Sequence, residues 1–373
     1  MNFDLSSEQI MLRDSANRYV KECGASPKST DAEVSLIQDF AKLGWLGLSL
    51  PEKCGGVGGS AIDVMVLCEE LGRGLLLEPY LSVLLAGELL LASEVDAKAA
   101  QGGVVSSLLA NIVSGNTSIA TALYEADSRF ELARQSCVAQ VCEQGYTLNG
   151  TKSFVLNGAQ ADQLLISART QGQFNDASGI SLFLLDRKTP GLALDPYYSF
   201  DGLPMATLSL SNVVLRKEAC LVSNTALPIM EAAIEKVIIA LSAQALGAME
   251  TLLYSSIEYC QLRQQFGKKI TQFQAVQHRF VDMYMACEEV RSLLYAAAIK
   301  QVESAPDAKL ITAMLKVKVG EAGRFLGEQS VQLHGAMGFT EDLLVGRLYK
   351  RLLAIDTLFG NADYHLKRVI KLS

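Results

Sequence analysis

The sequence predicts an α+β chain built as a helical block, a β block and a second helical block. Three observations carry this. Residues 1–115 and 223–373 repeat apolar side chains at helical spacing. Residues 116–222 break instead into short runs rich in Val, Ile, Leu, Phe and Thr, separated by Gly, Asn or Asp. A length of 373 residues suffices for two or three units with cores of their own. The expected domains are an N-terminal helical domain (1–115), a middle β-barrel-like domain (116–222) and a C-terminal bundle of four long helices (223–373).

Each element has a local reason. Ser6, with Gln9 three positions on, predicts a capping box opening the first helix. Gly and Pro punctuate "LGWLGLSLPEKCGGVGGS" before the helical "AIDVMVLCEELGRGL". "CGGVGGS" follows no buried strand and lacks a P-loop lysine, so it reads as a loop, not a phosphate cradle. In the β block, "EQGY" and "LNGTK" read as hairpins, with Asn149-Gly150 suited to a type I′ turn. Long helical periods follow in "ALPIMEAAIEKVIIALSAQALGAMETLLYSSIEYCQLRQQFG", "TQFQAVQHRFVDMYMACEEVRSLLYAAAIKQVESA" and "DAKLITAMLKVKVGEAGRFLGEQSVQLHG". A fourth begins at "DLLVGRLYKRLLAIDTL".

Composition excludes several classes. A net charge of -7 argues against a nucleic-acid partner, whose phosphates need a Lys/Arg surplus. Eight scattered cysteines form no C-x-x-C pair, and with three histidines no metal site is expected; reduced, buried thiols in a cytoplasmic protein are. The first residues carry no apolar signal-like run. The apolar stretch from Leu75 to Leu91 is broken by Glu78, Pro79 and Glu88, so no membrane span is predicted.

Two stretches can carry chemistry. In "RQQFGKKITQFQAVQHR", Arg263 at a helix end beside a Gly turn offers a forked donor to a pyrophosphate, or is a solvated arginine in an ordinary loop. In "VQLHGAMGFTED", Gln332, Gly335 and Gly338 allow close approach to a ligand, or form a helix end with its glycine cap.

With the helix–β–helix order, these segments make the chain resemble the acyl-CoA dehydrogenase family over nearly its whole length. "LSSEQIMLRDSANRYV", "LGWLGLSLPEKCGGVGG", "EELGRG", "RQQFGKKITQFQAVQHRFVDM" and "VQLHGAMGFTED" carry the resemblance. It implies FAD as cofactor, introduction of an α,β-double bond into an acyl-CoA thioester, and electron-transfer flavoprotein as acceptor. It implies that Arg263, Phe266 and Gln274 touch FAD across a subunit interface. Gln332, Gly335 and Ala336 would meet its diphosphate, with Ala336 replacing a family glycine. Phe154 and Leu156 stand where the family has a flavin-packing Trp and a Thr that bonds near N5, and Asn361 and Asp363 would edge the flavin. "YEADSRFEL" matches the loop over flavin and acyl-CoA, making Glu125 and Asp127 candidate substrate contacts.

The departures concern the catalytic base. Abstracting the proton α to a thioester needs a positioned carboxylate. Aligned by its glycine, the family's C-terminal Tyr-Glu-Gly-Thr turn falls on "LFGN", so Phe359 replaces the glutamate. The alternative helical position, ten residues before Gly247, is Val237; Glu235 points about 200° away from that face. Asp356, one turn before Phe359, is the remaining candidate acid, or a helix-end carboxylate capping or pairing with Arg351 or Lys350. "KRLLAIDTLFGNADYHL" and "LGRGLLLEPY" resemble small subunits of two-component, heterotetrameric acyl-CoA dehydrogenases such as pimeloyl-CoA dehydrogenase; similar pairs act on steroid side-chain esters. The expectation is a subunit whose partner supplies the base. The alternatives are a self-sufficient homo-oligomeric enzyme using Asp356, and a flavin-free structural paralogue.

Overall fold

A computed structural model describes residues 4–23, 30–76, 80–96 and 102–373. Of the stretch "LGRGLLLEPY", residues 77–79 lie outside the described residues. The helices are α1 Ser7–Cys23, α2 Thr30–Lys42, α3 Ala61–Arg73, α4 Tyr80–Asp96, α5 Gly102–Val113, α6 Ala226–Leu262, α7 Gln274–Val302, α8 Ala308–His334, α9 Leu344–Thr357 and α10 Ala362–Leu372. The strands are β1 Ile119–Ala122, β2 Val138–Cys142, β3 Gly145–Leu156, β4 Gln163–Arg169, β5 Ile180–Asp186, β6 Leu192–Tyr198, β7 Pro204–Arg216, β8 Cys220–Val222, β9 Gln264–Gln265 and β10 Lys268–Lys269. Two compact units result: Met1–Pro27, Ser60–Leu76 and Ile238–Ser373 form one, and Lys28–Gly59 and Leu77–Val237 the other.

The second unit is organised by a sheet of order β6-β7-β3-β2-β4-β5-β8, with β1 sharing an edge of β4 with β2. The order is an open path, and most pairs are antiparallel; β1 and β2 meet β4 in parallel. Buried Ala120, Leu148, Leu164, Ile166, Phe183 and Leu208 belong to the sheet's core. The β2–β3 hairpin turns at Glu143-Gln144, as "EQGY" predicts. Asn149-Gly150 is not a turn. Strand β3 runs through it, still paired to β7, and the register shift opposite Asn149 is taken up by an extra residue of β7 between Leu210 and Val213. Gly150 is required there, because a Cβ would meet Cys137 Cα at 2.6 Å. The local hairpin signal yields to continued pairing on both edges of β3. At the start of α4, Ser82 Oγ donates to the carbonyls of Ile119 and Leu156, tying the helix to β1 and β3.

The expected four long helices are three long ones, of 37, 29 and 27 residues, followed by shorter α9 and α10 of 14 and 11. The break between the last two falls at the "LFGN" turn. The predicted capping box is present: Gln9 N–H donates to Ser6 Oγ at 3.2 Å and Ser6 N–H to Gln9 Oε1 at 3.0 Å. Helices α3 and α6 touch backbone to backbone. A Cβ on Gly72 would stand 2.1 Å from Gln244 O, and one on Gly247 2.0 Å from Glu69 O. Beside this crossing, buried Glu69, Glu70 and Glu250 are bound by Arg73 of α3 and Arg291 of α7. Burial pushes the Glu250 carboxyl up against the opposing pull of both arginines.

Candidate cofactor and thioester site

The end of α6, the start of α7 and the end of α8 carry one group of predicted residues. Tyr259, one turn before Arg263, stacks on His334 at 4.4 Å between ring centroids. Arg279 in the second turn of α7 donates to Gln329 Oε1 of α8 at 2.8 Å. These contacts bring the three helix ends together. Between α6 and α7 the chain makes a two-residue hairpin: Gln265 pairs with Lys268, and Phe266 and Gly267 take φ of +52° and +76°. Phe266 is 91% exposed, edge-on to Phe273, whose ring lies 4.2 Å beneath Lys268 Nζ. Arg263, Gln274 and Gln332 are all exposed, and among the described residues their side chains make no hydrogen bond or ion pair. Gly335 has φ +65° with open space where a Cβ would project, and Ala336 is exposed. A guanidinium, two carboxamides and an open glycine backbone suit an anionic diphosphate.

The β unit carries a second group. Phe154 sits in the bulge between Lys152 and Val155 of β3, at φ +57° and 58% exposed. A left-handed backbone at a bulky aromatic is uncommon. Here it turns the ring out of the pleat. Leu156 is half-buried and pairs with Met205. Glu125 departs from its expected role. It is buried, its carboxylate accepts from Ser136 N–H at 2.6 Å and Cys137 N–H at 3.1 Å, and it pairs with Lys152 Nζ at 2.7 Å. Fully buried Lys152 also donates to Gln135 and Ser167. Glu125 is thus engaged inside the β unit by two backbone N–H groups and a lysine. Asp127, two residues on, is exposed.

The α9–α10 turn carries the third group. Phe359 is 7% exposed with φ +57°, and Val237 on α6 is fully buried. Asp356 accepts from Ala362 N–H at 3.2 Å, capping α10, and faces Arg324 Nη2 at 4.0 Å. The expected partners lie elsewhere: Arg351 donates to Gln244, and Lys350 pairs with Glu341. Asn361 caps α10 through Tyr364 N–H at 3.0 Å, and Asp363 is exposed in its first turn. Two further residues hold the turn. Lys316 Nζ donates to the carbonyls of Ile355, Asp356 and Gly360. His365 Nε2–H donates to Phe359 O at 3.0 Å, while its Nδ1 accepts from Arg368. Burial lowers the Lys316 ammonium to about 8, against the pull of Asp356. Burial also lowers His365 to about 3, keeping it neutral. Lys316 lies about forty residues from the carbonyls it binds, and no local pattern announces it.

Three domain models match the chain: "Acyl-CoA dehydrogenase, N-terminal domain" over residues 6–93, "middle domain" over 120–213 and "C-terminal domain" over 228–372. The chain belongs to the acyl-CoA dehydrogenase family. Among curated members it is 28% identical to L-prolyl-[peptidyl-carrier protein] dehydrogenase of Serratia sp., covering 97% of this chain and 96% of that one. It is 27% identical to the caffeyl-CoA reductase-Etf complex subunit CarC of Acetobacterium woodii, covering 89% and 86%. The solved structure of PigA with FAD and proline superimposes with a TM-score of 0.88 at 26% identity, over 100% of this chain and 98% of that one. No described helix of this acyl-CoA dehydrogenase relative is long and apolar enough to cross a membrane.

Proposed function

We propose that the chain is an FAD-dependent acyl-thioester dehydrogenase subunit whose catalytic base comes from a second subunit. The observation that carries this is the pairing of a polar cofactor-facing set with apolar residues at both usual base positions. Arg263, Gln274 and Gln332 stand exposed with their donors free, whereas Phe359 and Val237 are buried and cannot take a proton. Asp356 is committed to capping α10. Bound FAD would supply the electron sink for oxidising the Cα–Cβ bond. Gln332 and the Gly335-Ala336 backbone would bind and orient its diphosphate, Arg263, Phe266 and Gln274 would reach it across the subunit interface, and Phe154 would pack on the flavin. Leu156, in place of a hydroxyl, leaves that strand without a side-chain hydrogen bond to the ring.

Exposed Val281, Tyr284 and Met285 on α7, near the hairpin, support a partner subunit. The substrate is an acyl thioester. The Serratia relative supports a carrier-protein thioester as well as CoA, and the CarC relative supports electron-transfer flavoprotein as the electron partner.

Anaerobic flavin absorbance, read while a panel of acyl-CoA thioesters is added, tests the proposal. The purified chain is expected to be yellow, alone or with a co-expressed partner, and to bleach only with the partner or after Phe359→Glu. Bleaching by the unmodified chain alone, abolished by Asp356→Asn, would establish the self-sufficient enzyme instead. Colourless protein with its partner present would overturn flavin binding.

A further inference from the structure

Lys316 is fully buried on α8, an expensive location for a cation unless its hydrogen bonds are complete. They are complete. An ammonium has three hydrogens, and here they meet the carbonyls of Ile355 at 2.9 Å, Asp356 at 2.9 Å and Gly360 at 2.7 Å. The first two carbonyls belong to the last turn of α9, where the helix leaves its acceptors unpaired and its dipole is negative. The third lies beyond the helix. One side chain therefore grips the backbone on both sides of Phe359, whose φ of +57° is disfavoured for a bulky residue. The residue's own carbonyl is held separately by His365. Capping α9 alone would not require the bond to Gly360.

We propose that Lys316 is a positioning residue: by bridging Ile355 and Asp356 to Gly360 it holds the α9–α10 turn in its left-handed form and presents Phe359 in one orientation to the acyl thioester. The bridge itself stands on the hydrogen bonds. Its consequence for the ligand rests on the function proposed above.

Hydrogen–deuterium exchange of the full-length protein reads the bridge directly. The amides of Leu358, Ala362 and Tyr364 donate to Ala354 O, Asp356 Oδ1 and Asn361 Oδ1, so they report whether the turn is closed. Lys316→Met keeps the apolar stem and removes the donors; exchange at these amides is expected to quicken about tenfold or more. Adding Phe359→Gly to Lys316→Met is expected to restore most of the protection, because glycine adopts this φ without strain. Native exchange in Lys316→Met would overturn the bridge. Failure of the glycine to rescue would reduce Lys316 to a helix cap and overturn its hold on Phe359. Should the methionine variant not fold, Lys316→Gln, which retains two donors on a shorter stem, enters the same comparison. The bound flavin's absorbance is the second readout. Fast exchange with a changed spectrum supports both steps; fast exchange with an unchanged spectrum supports the bridge and overturns the presentation of Phe359 to the site.

Discussion

His365 shows how one buried ring sets an acid limit on the protein. It has no exposed surface, donates from Nε2 to Phe359 O and accepts at Nδ1. Protonation would put a second proton where Arg368 already donates, and would add charge near Lys316. The folded protein therefore binds this proton only near pH 3, while the unfolded chain binds it near 6.5. Between those values the unfolded state carries more protons. The stability due to neutral His365 is present above pH 6.5 and is lost as pH falls towards 3, about 4–5 kcal/mol in all. Urea midpoints measured across this window are expected to fall more steeply for the wild type than for His365→Asn. Parallel slopes would show that the ring does not couple folding to acid. Burial works differently on Lys152, whose charge is matched at 2.7 Å by Glu125 and whose other donors meet Gln135 and Ser167. That set fixes the start of the "YEADSRFEL" segment to the strand bearing Phe154, and Ser153 N–H donating to Tyr124 O reinforces it.

At the scale of elements, the α3–α6 crossing depends on two glycines. Gly247→Ala would drive a methyl to 2.0 Å from Glu69 O, a backbone atom that can retreat only if the helices separate. Separation would also disturb Glu69 in its pairing with Arg73 and Arg291. A loss of about 2–3 kcal/mol is expected in thermal or urea unfolding. Gly103→Ala in α5, where a Cβ meets nothing within 4 Å, is expected to be neutral or to stabilise by up to about 1 kcal/mol. Equal effects from the two substitutions would contradict the close crossing.

Over the whole molecule, what the sequence revealed was what is local. The block order, the Ser6 capping box and the Gly turn after Arg263 are encoded in neighbouring residues. Asn149-Gly150 carried an equally local hairpin signal, but pairing of β3 with β7 outweighed it. Glu125 looked like a free acid in a loop because its partner Lys152 is brought to it only by the fold of the sheet. Lys316 reaches its carbonyls from another helix, so nothing in the turn's own residues announced the cation that fastens it. The residues proposed to face the cofactor were nameable from motifs, while their exposure and the joining of three helix ends through Tyr259–His334 and Arg279–Gln329 were not.

The eight free thiols described by the same packing amount to a built-in clock for unfolding. Burial raises Cys137 and Cys260 to about 11 and Cys287 to about 12, which leaves almost no thiolate to react at neutral pH. Cys23 is exposed, and half-buried Cys142 is lowered by hydrogen bonds from the Thr147 side chain and the Gln144 and Gly145 backbone. Iodoacetamide followed by mass spectrometry is expected to mark Cys23 and Cys142 within minutes. The sheet's Cys137 and the helical Cys260 and Cys287 should be marked only as fast as their own unit opens. Each unit of the chain thereby carries its own timer, and a difference between the timers would reveal which one gives way first.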